Sequence, residues 1–263
     1  MIITITDDFD LYKIAYSGQC FRVKDIDSNT FSFVTQNSRV IIRSLGGNDY
    51  DISCSKEEWD NIWHHYFDLD TCYSDIRKAI PKSDKYLTQA AEIGKGIRIL
   101  NQDKFEMLIS FIISQRKSIP AIKSSVEKLC ALYGQNGFFP TPEALLCGTS
   151  EELSSCGLGY RVPYIIDSVK RVALKEIDLD ELDLLSDEEL FEALKSFKGV
   201  GDKVANCAML FAYHRIGRAP VDTWIQKIID TEYSGVNPFN SYGKYAGIMQ
   251  QYMFYSAQHM KNL

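Results

Sequence analysis

Along roughly the first fifty residues, apolar positions come in short runs with a strand-like period. "TFSFV" at 30–34 alternates in part, "VII" at 40–42 is β-branched, and "LGGND" at 45–49 carries turn chemistry, so the spacing predicts an antiparallel sheet. From Ser55 the period becomes helical. Ser55 and Glu58 have the spacing of a capping box, and Trp59, Ile62, Trp63 and Tyr66 fall on one side. "IPKSDK" at 80–85 interrupts the pattern and sets the expected domain boundary. Beyond it the spacing predicts helices near 85–93, 104–115, 119–133, 141–147, 150–156, 160–174, 187–196, 202–214, 223–232 and 244–260, with a second capping box at Ser186 and Glu189. The expected fold is α+β: a small N-terminal antiparallel sheet domain with flanking helices over 1–82, then an all-helical domain over 83–263.

Composition narrows the class. With 263 residues, 45% of them apolar, the chain can bury a core. No run reaches the length of a membrane span, and "MLISFII" at 107–113 reads as a core helix. The start, "MIITITDDFD", lacks the basic flank and long apolar stretch of a signal peptide, so a cytoplasmic or nucleoid-associated protein is expected. Seven cysteines without a CxxC pair read as reduced thiols rather than as a disulfide framework or zinc site. His64 and His65 are adjacent instead of one turn apart, so neither a metal nor a cofactor is expected. The net charge of −6 conceals an asymmetry. Nine acidic and no basic residues fall within 176–192, and removing them leaves the rest of the chain at +3, compatible with a locally basic face.

The candidate chemistry centres on "KGVGDKVANCAML", 198–210. Gly199 and Gly201 are expected to take positive φ and to leave the turn amides bare, while Val204, Ala208, Phe211 and Ala212 give the next helix a buried face. Two helices joined by such a turn form a helix-hairpin-helix. Its free amides and the positive end of the second helix suit a phosphate oxygen. Lys203, at the start of that helix, has two readings: a phosphate contact, or a nucleophile whose charge is opposed by the helix dipole and by partial burial. Asp222, after Pro220, likewise reads as an ordinary N-cap or as a carboxylate that stabilises positive charge on a sugar.

"GVGDKVANC" followed by "PVDT", with lysine and aspartate nineteen positions apart, resembles the catalytic hairpin of the helix-hairpin-helix DNA glycosylases. "SGQCFR" (17–22), "GIRILNQDKFEMLISFIISQ" (96–115), "GLGYRVPYI" (157–165) and "YSAQ" (255–258) are similar, in order, to segments of the 8-oxoguanine DNA glycosylases. That resemblance implies a monomeric glycosylase and AP lyase acting on double-stranded DNA that contains 8-oxoguanine, with Lys203 and Asp222 catalytic. It implies base recognition by the Gly18 carbonyl, with Gln19 and Phe21 in the same segment. Oxidation places hydrogen on guanine N7, turning an acceptor into a donor that a carbonyl can read.

The extruded base is expected between Cys207 and Tyr255, with Gln251 on its Watson–Crick edge and Phe211 lining the pocket floor. Gly199, Val200 and Gly201 would hold the backbone. Tyr160 resembles the family's wedge residue and Arg161 its reader of the opposite base. Outside this resemblance both read as surface residues.

Two segments depart from the family. "SQRKSIPAI" (114–122) has Arg116, Lys117 and Ser118 where eukaryotic members have an asparagine run, and Ala121 in place of a further arginine, so relaxed opposite-base selectivity is expected. Trp224 stands where histidine is common, which implies a lost phosphate contact or its replacement by stacking. Two alternatives stay open: an endonuclease III-like enzyme for oxidised pyrimidines, which the absence of any cysteine after Cys207 disfavours, and a non-catalytic DNA-binding hairpin.

Overall fold

The computed structural model describes residues 1–259 and divides into two compact units. The first comprises Met1–Phe33, Arg39–Asn101 and the chain from His214 onward; the second comprises Val34–Ser38 and Gln102–Tyr213. The break at 80–85 lies inside the first unit.

Apart from residues 34–38, that unit carries a five-stranded sheet of order β1-β5-β4-β3-β2, made by β1 (Ile2–Thr4), β2 (Lys24–Asp27), β3 (Thr30–Thr35), β4 (Ser38–Gly46) and β5 (Asp49–Ile52). The pairs β1–β5, β4–β5 and β2–β3 are antiparallel. Period-two alternation is clear on β4, where Val40 and Ile42 are buried and Ile41 faces out. The inward set packs with Phe31, Phe33 and Tyr50 against Trp59, Trp63 and Tyr66 of the following helix, α2 (56–66), and against Phe67 just beyond it.

That helix, 56–66, contains a π turn at Trp59–Trp63. Its capping box is only half made. The Ser55 hydroxyl accepts from the Glu58 amide at 3.1 Å, but the Glu58 carboxylate accepts from the Trp63 indole N–H at 3.0 Å instead of turning back to Ser55.

Two helices in this unit escape the sequence pattern: α1 (Leu11–Tyr16) and α3 (Tyr73–Lys78). Cys72, at the N-cap of α3, makes no side-chain capping bond; Asp7 caps the helix instead, accepting from the amides of Tyr73 (2.6 Å) and Ser74 (3.0 Å). The fully buried Arg98 completes this node. Its guanidinium donates to the carbonyls of Phe67, Asp8, Asp68 and Thr71 and to the Asp7 carboxylate at 3.1 Å. Helices α4 (Lys85–Ile93), α12 (Thr223–Glu232) and α13 (Ala246–His259) complete the unit, with α13 packed on both others. The predicted end of the last helix, residue 260, lies outside the described residues.

The second unit is helical: α5 (Lys104–Ser114), α6 (Ile119–Tyr133), α7 (Pro142–Leu146), α8 (Ser150–Ser155), α9 (Val162–Ala173), α10 (Asp187–Lys195) and α11 (Asp202–Phe211). Residues 105–113 of α5 are all buried, and α6, α9 and α11 pack on it. The predicted box at Ser186 and Glu189 is complete, and Thr149 with Glu152 forms another at the start of α8. Among the described residues no helix is long and apolar enough to cross a membrane.

Burial opposes ionisation of Asp7, but hydrogen bonds from Ser74, Asp8 and Tyr73 outweigh it and hold the carboxyl at about 2 instead of 3.8. Its contribution to stability is therefore present above pH 3.8 and lost as the pH falls toward about 2. Asp7→Asn should lower stability at neutral pH and flatten the acid loss in that window, as read from urea unfolding at a series of pH values.

Candidate active site

The hairpin forms where the sequence places it. Between α10 and α11 the turn reverses at Gly199, φ +79°, where a Cβ would lie 2.3 Å from the Tyr164 ring, so both conformation and space demand glycine. Gly201 differs from expectation. Its φ of −100° and ψ of −177° are extended backbone open to any residue, and a Cβ there meets nothing within 4 Å. As N-cap of α11 it offers no side-chain acceptor, which leaves the first-turn amides uncapped. Val200 is buried below them.

Lys203 sits in that first turn, half-buried, with Nζ 5.3 Å from the Phe111 ring centroid. Among the described residues no carboxylate forms an ion pair with it. Cys207, one turn later, is buried, as is Phe211, which stacks on Phe111 with centroids 5.5 Å apart. The second unit thus brings Lys203, Cys207 and Phe211 onto one short helix, with Phe111 of α5 touching both ends of the set.

The first unit gathers another part. Gly18, φ +78°, follows Ser17, the C-cap of α1, so the turn closes a helix. Gln251 of α13 donates to the Ser17 carbonyl, so the base-edge candidate and the carbonyl-bearing turn are joined directly. Gln19 is fully buried and its side chain faces inward: the amide nitrogen donates to Ser17 Oγ and the Arg98 carbonyl, and the amide oxygen accepts from Leu100, each at 2.8 Å. Phe21 is also buried.

Tyr255 stacks on His259, centroids 3.9 Å apart, and burial with the nearby charges of Asp10 and Tyr12 pushes its hydroxyl up to about 12. Asp222 is the N-cap of α12, accepting from the Ile225 amide at 2.9 Å, and its neighbour Trp224 is partly exposed.

In the second unit Tyr160 is half exposed, as a wedge requires, whereas the surface reading of Arg161 does not hold. Its guanidinium is buried, donating to the carbonyls of Gln115 and Leu158 and lying 4.3 Å over the Tyr160 ring. Arg116 is exposed, with φ +51°. Lys117 Nζ donates to Ser125 Oγ and the Gly157 carbonyl, each at 2.6 Å; burial and the adjacent Arg161 charge lower its basicity. Sequence reasoning passed over Gln115 and Tyr164, which hold the hairpin turn. The one local signal for Gln115 is its place directly after the apolar run of α5.

Residues 1–108 match the family described as the 8-oxoguanine DNA glycosylase N-terminal domain, and residues 109–246 match the HhH-GPD superfamily of base excision DNA repair proteins. The chain belongs to the HhH-GPD superfamily. The chain is similar to a protein named a probable N-glycosylase/DNA lyase from Methanothermobacter thermautotrophicus, 30% identical over 77% of this chain and 75% of its own.

Among solved structures, the 8-oxoguanine glycosylase/lyase of Clostridium acetobutylicum, in complex with double-stranded DNA containing cytosine opposite 8-oxoguanine, is 34% identical with a TM-score of 0.91 over 100% of this chain and 99% of its own. MBOgg1 in complex with a low-affinity DNA ligand is 33% identical with a TM-score of 0.93 over 99% and 96%.

The two hairpin glycines should separate under substitution. Gly199→Ala should lower stability by about 2 kcal/mol or more, from left-handed strain plus displacement of Tyr164, whereas Gly201→Ala should leave it within about 0.5 kcal/mol. Denaturant midpoints at constant slope measure both.

Proposed function

We propose that this HhH-GPD protein is a bifunctional DNA glycosylase and AP lyase that removes 8-oxoguanine from duplex DNA. The observation that carries the reading is α11 itself: a helix start with no side-chain cap, suited to a phosphate, and in its first turn a lysine that no carboxylate among the described residues pairs. Family membership, and the likeness to proteins named as 8-oxoguanine glycosylase/lyases, supports the substrate.

In this reading the hairpin amides seat a phosphate and the damaged nucleotide leaves the stack. Lys203 Nζ attacks C1′; the C1′–N9 bond breaks, its electron pair leaves with the base, and the base takes up a proton while the amine gives one up. Asp222 stabilises positive charge developing on the sugar, a role compatible with its capping bond to Ile225. The sugar then opens to an iminium, loses a C2′ proton, and expels the 3′ phosphate. The Gly18 carbonyl accepts the N7 hydrogen of the lesion, and Gln251, fixed on the neighbouring Ser17 carbonyl, borders the same turn. The assignment of Cys207, Phe211 and Tyr255 to the extruded base is supported by the likeness to the 8-oxoguanine glycosylase/lyases.

The hydrogen bond at N7, set against lone-pair repulsion with guanine, supplies about 1–3 kcal/mol of discrimination. Extrusion and fit supply the remainder. Relaxed selectivity opposite the lesion belongs to the same proposal. Ala121 offers no hydrogen-bond donor, and Arg161 is occupied by the protein's own carbonyls.

Borohydride added during reaction with an 8-oxoguanine duplex should trap a covalent protein–DNA adduct on denaturing gels. Lys203→Gln should abolish the adduct and keep duplex binding within about threefold, since only one phosphate-range cation is lost. Tight binding by the wild type with no adduct would instead identify a non-catalytic hairpin. Single-turnover excision opposite each of the four bases should vary by less than about tenfold, the equivalent of one modest recognition contact; a larger preference for cytosine rejects the relaxed reading.

A further inference from the structure

We infer that Gln115 is a positioning residue that couples the phosphate seat of the hairpin to the Tyr160 wedge, so that the two act on DNA as one part. The inference rests on the glycosylase reading above and adds a residue to it.

Gln115 ends α5 with φ −57° and ψ +122°, and each of its two amide groups faces a different functional segment. Its side-chain nitrogen donates to the Gly199 carbonyl at 3.1 Å and to the Ile112 carbonyl at 3.2 Å. Because a peptide is planar, fixing the Gly199 carbonyl fixes the Gly199–Val200 plane immediately ahead of the uncapped amides. Its own main-chain carbonyl accepts from the Arg161 guanidinium.

The connection then closes on itself. Arg161 lies 4.3 Å over the Tyr160 ring, Tyr160 meets Tyr164 edge-on at 6.1 Å, and the Tyr164 ring covers Gly199 so closely that no Cβ fits between them. A circuit of five residues, Gly199, Gln115, Arg161, Tyr160 and Tyr164, therefore runs from the phosphate seat to the wedge and back. Lys117 steadies the near end of the wedge loop by holding the Gly157 carbonyl. In such a circuit, neither the turn nor the wedge shifts without straining hydrogen bonds on the other side. The role is one of alignment: Gln115 bonds to Ile112, Gly199 and Arg161.

Gln115→Met keeps the length and removes the donor; Gln115→Glu keeps the shape and also lacks the donor at neutral pH, so either variant serves if the other unfolds on thermal scanning. With an 8-oxoguanine duplex carrying 2-aminopurine beside the lesion, both should slow the extrusion signal about tenfold, the loss of one buried hydrogen bond at its upper range, with a smaller change in apparent KM. The decisive readout is a cycle between Gly201→Asp, which places an acceptor in the phosphate seat, and Tyr160→Ala. With Gln115 present, the combined effect on extrusion should fall short of the product of the separate effects; with Gln115→Met, the effects should multiply. Equal interaction in both backgrounds overturns the coupling role. A wild type that never extrudes the lesion overturns the glycosylase reading, and this one with it.

Discussion

An α-helix begins with amides that have no partner inside the helix, and how each helix resolves that problem organises this protein. Asp84, Asp103, Ser186 and Asp222 supply side-chain acceptors to α4, α5, α10 and α12. The start of α11 receives none: its cap is Gly201, which has nothing to offer. Burial of Val204, Ala205, Ala208 and Leu210 keeps this helix in place without help from its N-terminus, so the amides stay available to an acceptor from outside. Lys203 occupies the same turn. The proposed function would thereby have its anchoring contact and its reacting nitrogen on one helix.

The first unit meets the corresponding demand in the opposite way, by satisfying buried polar groups from far along the chain. Arg98 is fully buried, yet carbonyls from 8, 67, 68 and 71 and the Asp7 carboxylate absorb its donors. A buried charge is tolerated on those terms and is costly once a partner is removed. Gln19 works similarly on a smaller scale, tying the turn at Gly18 to Leu100 and to the Arg98 carbonyl. The turn proposed to read the base is thus tied through Gln19 to the backbone at Arg98 and Leu100.

Legibility in the sequence follows the distance over which each element is determined. Helices of the second unit are held by apolar stripes and, for α5, α7, α8 and α10, by caps three residues away, and their expected positions agree with the structure to within three residues. The α3 helix was invisible because its cap, Asp7, is 66 residues from Tyr73. Strands β1, β2 and β5 span three or four residues, too few for alternation to register, and β2 is exposed throughout. The hairpin turn, the first-turn place of Lys203 and the N-cap place of Asp222 are local motifs and could be read directly. The link from Gln251 to the Ser17 carbonyl spans 234 residues, and no pattern announces it. Arg161 carried the wrong surface expectation because its partners, the carbonyls of Gln115 and Leu158, are main-chain atoms that any sequence would supply.

The division of the chain bears on how it is made. Apart from the short piece 34–38, the second unit is one continuous stretch, whereas the first resumes only at His214. During synthesis the sheet, Arg98 and their partners emerge early, but α12 and α13 leave the ribosome after the entire intervening helical segment. That segment can condense as soon as it is exposed, while the part of the first unit made before it waits for α12 and α13, its seat for α13 uncovered in the interval.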